Sequence, residues 1–160
     1  MTSAVRERVR EWVKQTYESY ITEQIELHGE RGFHLMQIGK SENGLRCTPE
    51  EFWEDIDFCL EAVAIDGEAI GYVPKKFLDA TFCLAVVTEK PQNLKYIPKE
   101  FLSEELFLTA VRLDGLAVGW VPPMRLTKAI VHEALLQNPD AKKKLPEVWQ
   151  DEIEERKGNS

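Results

Sequence analysis

The chain has 160 residues and a formal net charge of −8, from 28 acidic and 20 basic side chains, and it is 43% hydrophobic and 30% charged. That length buries a sizeable core without staples, and the composition speaks against a disordered chain. The acidic balance speaks against a phosphate-binding surface for nucleic acid, and no apolar run approaches the roughly 20 residues of a membrane span.

The N-terminal stretch MTSAVRERVREWVKQ is too charged for a secretory signal. Cys47, Cys59 and Cys83 make an odd set, so reduced thiols and a cytoplasmic location are expected. Val5, Val9, Trp12, Val13, Tyr17, Tyr20, Ile21 and Ile25 recur in steps of four, three and one. This spacing predicts one amphipathic helix of about six turns. Thr2 or Ser3 would start it and Gly29 would end it, so residues 1–32 read as a capping helix for the repeats C-terminal to it.

Residues 33–150 read as four to five copies of a 24-residue repeat. Pro74, Pro98, Pro122 and Pro146 keep that step, as do Phe58, Phe82, Leu106 and Ile130, and Val63, Val87, Val111 and Leu135. Val73, Ile97, Val121 and Leu145 stand just before the prolines in the same register. A looser copy precedes them: with Pro49 placed on Pro74, Leu35, Ile38, Leu45 and Phe52 fall on Leu60, Val63, Ile70 and Phe77. Asp55, Asp79, Ser103, Thr127 and Asp151 recur where a helix N-terminus needs a side-chain acceptor. Gly67 and Gly115 are expected to close their helices in the left-handed region, while Pro91 and Pro139 take that column in the other copies. EAIGYVP, NLKYIP and LAVGWVP are short enough for a single helical turn closed by proline. The alternation in AIGYV would also suit an edge strand, but no strand partner is in sight. A last helix should begin after Asp151, with residues 151–160 as a fraying polar tail. The expected fold is one all-α structural domain, a short helical-repeat solenoid with a long N-terminal amphipathic capping helix.

The segments FCLEAVAIDGEAIGYVPKKF and FLTAVRLDGLAVGWVP resemble an uncharacterised family of short bacterial and protist helical repeats. In that family an Ala-Val pair on a helix is followed by an Asn/Asp-Gly turn, then Leu-x-Tyr and a small residue or proline. Ala62-Val63 and Ala110-Val111 match the pair, Asp66-Gly67 and Asp114-Gly115 match the turn, and Tyr72, Tyr96 and Trp120 match the aromatic column. Lys90-Pro91 departs from the turn, and Lys144 replaces the aromatic in the last copy. The resemblance covers Asp55 to Trp149 well and Leu35 to Phe52 loosely. It implies a helical array and supplies no catalytic residues.

No cofactor motif is present. GKSENG lacks the first glycine of a phosphate loop, and zinc-type spacings are absent. Cys59 and Cys83 share one repeat column with Phe107, which reads as packing. Tyr72, Tyr96 and Trp120 read as half-buried rings with polar tips in solvent. Charge is the more informative pattern. Between His34 and Pro74 nine acids face two bases, Lys40 and Arg46, whereas Lys75 to Ala110 balances to zero. Such a patch would steer a basic partner. The chain is therefore expected to be a non-enzymatic protein–protein binding module, best exemplified by an immunity protein that neutralises a basic toxin. Its partner-binding residues would be Glu50, Glu51, Glu54, Asp55, Asp57, Glu61 and Glu68, with Trp53 as aromatic anchor. Two rival readings compete with it: an adaptor that binds peptides along the aromatic column, and a small hydrolase using Cys47 with His34.

Overall fold

The structure, a computed structural model, describes residues 3–41 and 43–158, and the side chains of these except 3–10, 12, 13, 17 and 155–158. Every regular element among the described residues is helical and none is a strand. The chain divides into two compact units, Met1–Phe52 and Trp53–Ser160.

In the first unit, α1 (Ser3–Lys40) is interrupted at Gly29, whose φ of 70° and ψ of 162° leave the helical region. An L side chain is strained there, so glycine is what permits the break. The expected end of the amphipathic helix is thus met, but a second helical stretch follows at once. It carries the buried Phe33 and Ile38, and α2 (Gly44–Cys47) packs back on α1. The first unit extends to Phe52. A Cβ at Gly44 would lie 2.2 Å from the carbonyl oxygen of Gln37, so only glycine allows this return. Leu45 is buried beside it, and the Thr48 hydroxyl donates to the Gly44 carbonyl at 2.9 Å. Of the predicted apolar stripe, Tyr20 is 43% exposed and Ile21 and Ile25 are half-buried. The side chains of Val5, Val9, Trp12, Val13 and Tyr17 lie outside the described residues, as does Thr2. A short α3 (Glu50–Trp53) stands at the division between the units.

The second unit shows the period directly. Four ten-residue helices, α4 (Ile56–Ile65), α5 (Ala80–Glu89), α6 (Glu104–Leu113) and α7 (Lys128–Gln137), start 24 residues apart. Each leads into a six-residue 3₁₀ segment: Gly67–Tyr72, Pro91–Tyr96, Gly115–Trp120 and Pro139–Lys144. Four of the five expected caps are in place. Asp55 Oδ1 accepts from the Asp57 N–H at 2.9 Å and Asp79 Oδ1 from the Phe82 N–H at 2.7 Å. Ser103 Oγ accepts from the Leu106 N–H at 3.2 Å and Thr127 Oγ1 from the Ile130 N–H at 3.3 Å. Each satisfies a donor the helix itself leaves unpaired, worth about 1 kcal/mol. The four recurring apolar positions are buried in α4 (Phe58, Cys59, Ala62, Val63), α5 (Phe82, Cys83, Val86, Val87) and α6 (Leu106, Phe107, Ala110, Val111), and in α7 Ile130, Val131 and Ala134 are buried while Leu135 is half-buried.

The helices end differently from expectation. Among the described residues only Gly29 has a positive φ, so Gly67 and Gly115 are not left-handed caps. An extended residue at Asp66, Lys90, Asp114 or Asn138 closes each helix instead, donating its N–H four residues back. Asp66, Asp114 and Asn138 then accept, with a side-chain oxygen, from the N–H of Glu68, Leu116 and Asp140, which starts the 3₁₀ segment. The glycines are there for space. A Cβ at Gly67 would fall 2.1 Å from the Tyr96 ring, and one at Gly115 would fall 2.4 Å from the Ala134 carbonyl oxygen.

These contacts expose an alternation inside the period. Copies one and three read Gly-x-Ala-x-Gly (Gly67 to Gly71, Gly115 to Gly119), whereas copies two and four open on Pro91 and Pro139 and carry Lys95 and Lys143 in the second glycine column. At each glycine joint the next copy reaches back. Asn93, buried in a column that elsewhere holds alanine, donates to the Val63 carbonyl at 3.0 Å, and Lys90 Nζ to that of Ala64 at 3.4 Å. Gln137 Nε2 donates to the Leu113 carbonyl at 3.3 Å, and its Oε1 accepts from the Gly115 N–H at 2.6 Å. Carbonyls at a helix C-terminus thus find partners in the following copy.

At the C-terminal end, α8 (Glu147–Gly158) begins right after Pro146. Asp151 is therefore an interior residue and not a cap, and helix occupies most of the segment expected to be a tail. The Trp149 and Gln150 N–H groups bond to the Pro146 carbonyl, which starts the helix before Asp151 is reached. Gly115→Ala should destabilise by about 1–3 kcal/mol through overpacking. Gly71→Ala, whose Cβ would meet nothing within 4 Å, should be neutral or stabilising by up to about 1 kcal/mol. Urea denaturation of the two variants checks the contrast.

Candidate protein-binding surface

The predicted acids fall into both units. Glu50 and Glu51 are exposed at the start of α3 and belong to the first unit. In the second unit Glu54 is exposed and ion-paired with Lys76 from the next copy, a contact that contributes little at such exposure. Asp55 serves the fold as the α4 cap. Asp57 and Glu61 are exposed one turn apart on the outer side of α4, and Glu68 is exposed at the start of the following 3₁₀ segment. Asp57 lies in the first turn of α4, where the helix dipole favours a carboxylate, and Glu61 adds a second negative charge one turn on.

Trp53 is not an accessible anchor. It is 5% exposed, with its ring edge-on to Phe58 at 5.5 Å and stacked on Tyr72 at 5.4 Å. A step of 24 places it in a column with Phe77, Phe101, Arg125 and Trp149, of which the three rings are half-buried and Arg125 is exposed. Among the described side chains the exposed indole is Trp120, at 47%. Tyr72 is 40% exposed and Tyr96 half-buried. Lys95 Nζ lies 4.5 Å from the Tyr96 ring centre and 5.2 Å from that of Trp120, linking two copies by cation–π contact. Beside Trp120 opens a pocket of about 350 Å³ lined by Gln92, Asp114, Leu116, Gly119, Trp120 and Lys144.

Cys59 and Cys83 are buried, as the packing reading requires. Cys59 Sγ donates to the Trp53 carbonyl at 3.3 Å. Burial first, and neighbouring carboxylates second, push both thiols up to about 11. His34 is held between the Phe33 and Phe52 rings, 5.3 and 4.8 Å away, and burial lowers its pKa against the pull of Glu30 and Glu51. Cys47 is exposed, and no hydrogen bond joins it to His34 among the described residues. No cluster of possible metal ligands, and no helix long and apolar enough to cross a membrane, occurs among the described residues.

Residues 38–78 match a family described as a domain of unknown function (DUF4116), which fits the resemblance to an uncharacterised family. The match runs from Ile38 through the first 3₁₀ segment and past Pro74. No curated protein and no solved structure matches the chain.

Iodoacetamide at about pH 8 attacks thiolates in reach of solvent, so Cys47 should be labelled first, with Cys59 and Cys83 labelled only on unfolding. Peptide mass spectrometry after timed quenching reads this directly. Because the folded thiol pKa lies above the unfolded one, the stability these two groups contribute holds below the ordinary thiol range and is lost as pH rises through about 11.

Proposed function

We propose that the chain is a non-enzymatic protein-binding module, a short helical-repeat solenoid that meets a basic protein partner through acids of its first copy. In such arrays the shared columns build a continuous core and the unshared positions are free to recognise. The observation that carries the reading is the concentration of charge: nine acids against two bases between His34 and Pro74. In the second unit Asp57, Glu61 and Glu68 are exposed. Exposed charge of one sign steers association with an oppositely charged surface. The most concrete form of this function is a cytoplasmic antagonist that fills a basic cleft where phosphates would otherwise bind, as an immunity protein does toward a nuclease-type toxin.

A second reading draws on a specific observation, the half-exposed Trp120 beside its pocket. An adaptor would use that indole and its neighbours Tyr96 and Tyr72 as a peptide ledge. Selection of a displayed random-peptide library separates the two. The acidic reading expects peptides enriched in Lys and Arg, with the enrichment lost at high salt and in Asp57→Lys/Glu61→Lys/Glu68→Lys. Unchanged selection by that triple variant, with loss in Trp120→Ala, would move the function to the aromatic ledge.

A further inference from the structure

The outer faces of adjacent helices differ at one equivalent pair of positions. By the 24-residue step, Ala64 and Ala85 at the α4–α5 joint correspond to Thr88 and Thr109 at α5–α6, and to Arg112 and Glu133 at α6–α7. At α6–α7 the two side chains close over the joint, with Arg112 Nε 3.3 Å from Glu133 Oε2. At α4–α5 two methyl groups stand in their place, and a groove of about 300 Å³ remains, lined by Leu60, Glu61, Ala64, Ala85, Val86 and Glu89. Its floor is aliphatic and each helix contributes one carboxylate to its walls. Asp57 extends the acidic wall by one turn of α4. Lys90 is the basic group nearest in sequence, and its ammonium is directed to the Ala64 carbonyl at the end of α4.

We infer that this groove seats a basic amphipathic helix of the partner, with an aliphatic side chain on Ala64 and Ala85 and flanking Lys or Arg side chains at Glu61 and Glu89. The inference rests on the proposal that the partner is basic, and it names the site and the shape of what binds. A groove between two packed helices accepts the side-chain ridge of a third, and apolar anchors at i, i+3 or i+4 and i+7 suit such a floor. Strand addition is disfavoured, since no sheet edge exists among the described residues. Charge complementarity selects a basic helix over an acidic or neutral one.

The test uses the full chain and a fluorescein-labelled helical peptide of about 18 residues, built from Leu on one stripe and Lys elsewhere, with a Glu-for-Lys counterpart. Fluorescence anisotropy should show binding of the Lys peptide, weakened by salt, and none of the Glu peptide. Ala64→Arg/Ala85→Glu imports the ion pair of the α6–α7 joint at unchanged net charge and should weaken binding at least about tenfold, with circular dichroism and melting midpoint retained. Ala64→Thr/Ala85→Thr imports the α5–α6 pair, guards against a folding defect in the first variant, and should give a smaller loss. Wild-type affinity in both double variants would overturn the groove. If Asp57→Lys/Glu68→Lys then abolished binding, the acidic-face reading would stand without it. Failure of the wild type to bind the Lys peptide also overturns the inference, whereas the acidic reading falls only if display yields no basic preference. Self-association of the wild type that the Arg/Glu variant abolishes, read by sedimentation, would make a second copy the occupant and overturn the basic-helix assignment.

Discussion

At Gly115 one added methyl group would sit 2.4 Å from the Ala134 carbonyl oxygen, and at Gly67 one would sit 2.1 Å from the Tyr96 ring. This closeness between the start of one 3₁₀ segment and the next copy is the constraint on which the second unit depends. It lets Asn93, Lys90 and Gln137 reach the carbonyls that end α4 and α6. A helix of ten residues is too short to be stable alone, and its last carbonyls have no partner within it. At α4 and α6, closing the helix onto its successor answers both problems. Gly67 and Gly115 cannot gain a side chain, while the reaching amide changes from Asn93, which donates to Val63, to Gln137, which both donates to Leu113 and accepts from Gly115.

The shared columns are consumed by this frame, which leaves the outer faces to differ. The Ala64–Ala85, Thr88–Thr109 and Arg112–Glu133 series keeps one geometry while its chemistry passes from apolar to hydroxylic to ionic. The 3₁₀ edge changes likewise from Glu68 to Gln92, Leu116 and Asp140. Acid gathers on the first copy, and the exposed indole Trp120 lies on the third. Under the proposed binding function, specificity would arise from such differences between equivalent positions.

Much of this is legible in the sequence. The 24-residue step, the four polar caps and the buried quartets emerge from periodicity and capping chemistry, because local rules and tertiary packing agree at those positions. Gly67 and Gly115 mislead because a glycine after a helix signals a left-handed cap equally well as a close approach, and only the neighbouring copy tells them apart. Trp53 misleads because it stands among acids, Glu50, Glu51, Glu54 and Asp55, whereas its burial comes from rings distant in sequence or hidden from periodicity, Phe58 and Tyr72. Asp151 keeps the period of the caps, but Pro146 has already begun α8. The Ala64–Ala85 groove is out of reach of the sequence, since it exists only where two separate columns are small across the same joint.

The central claim is that each copy is stabilised by its neighbours in an alternating array. Duplicating residues 80–127 in tandem tests it most directly, because the insertion keeps the 24-residue register and places a proline copy after every glycine joint. Thermal unfolding followed by circular dichroism should show unchanged helicity per residue, a single transition and a higher midpoint than the parent chain, as nearest-neighbour stabilisation requires. A lower midpoint, or a separate early transition for the inserted copies, would contradict the account.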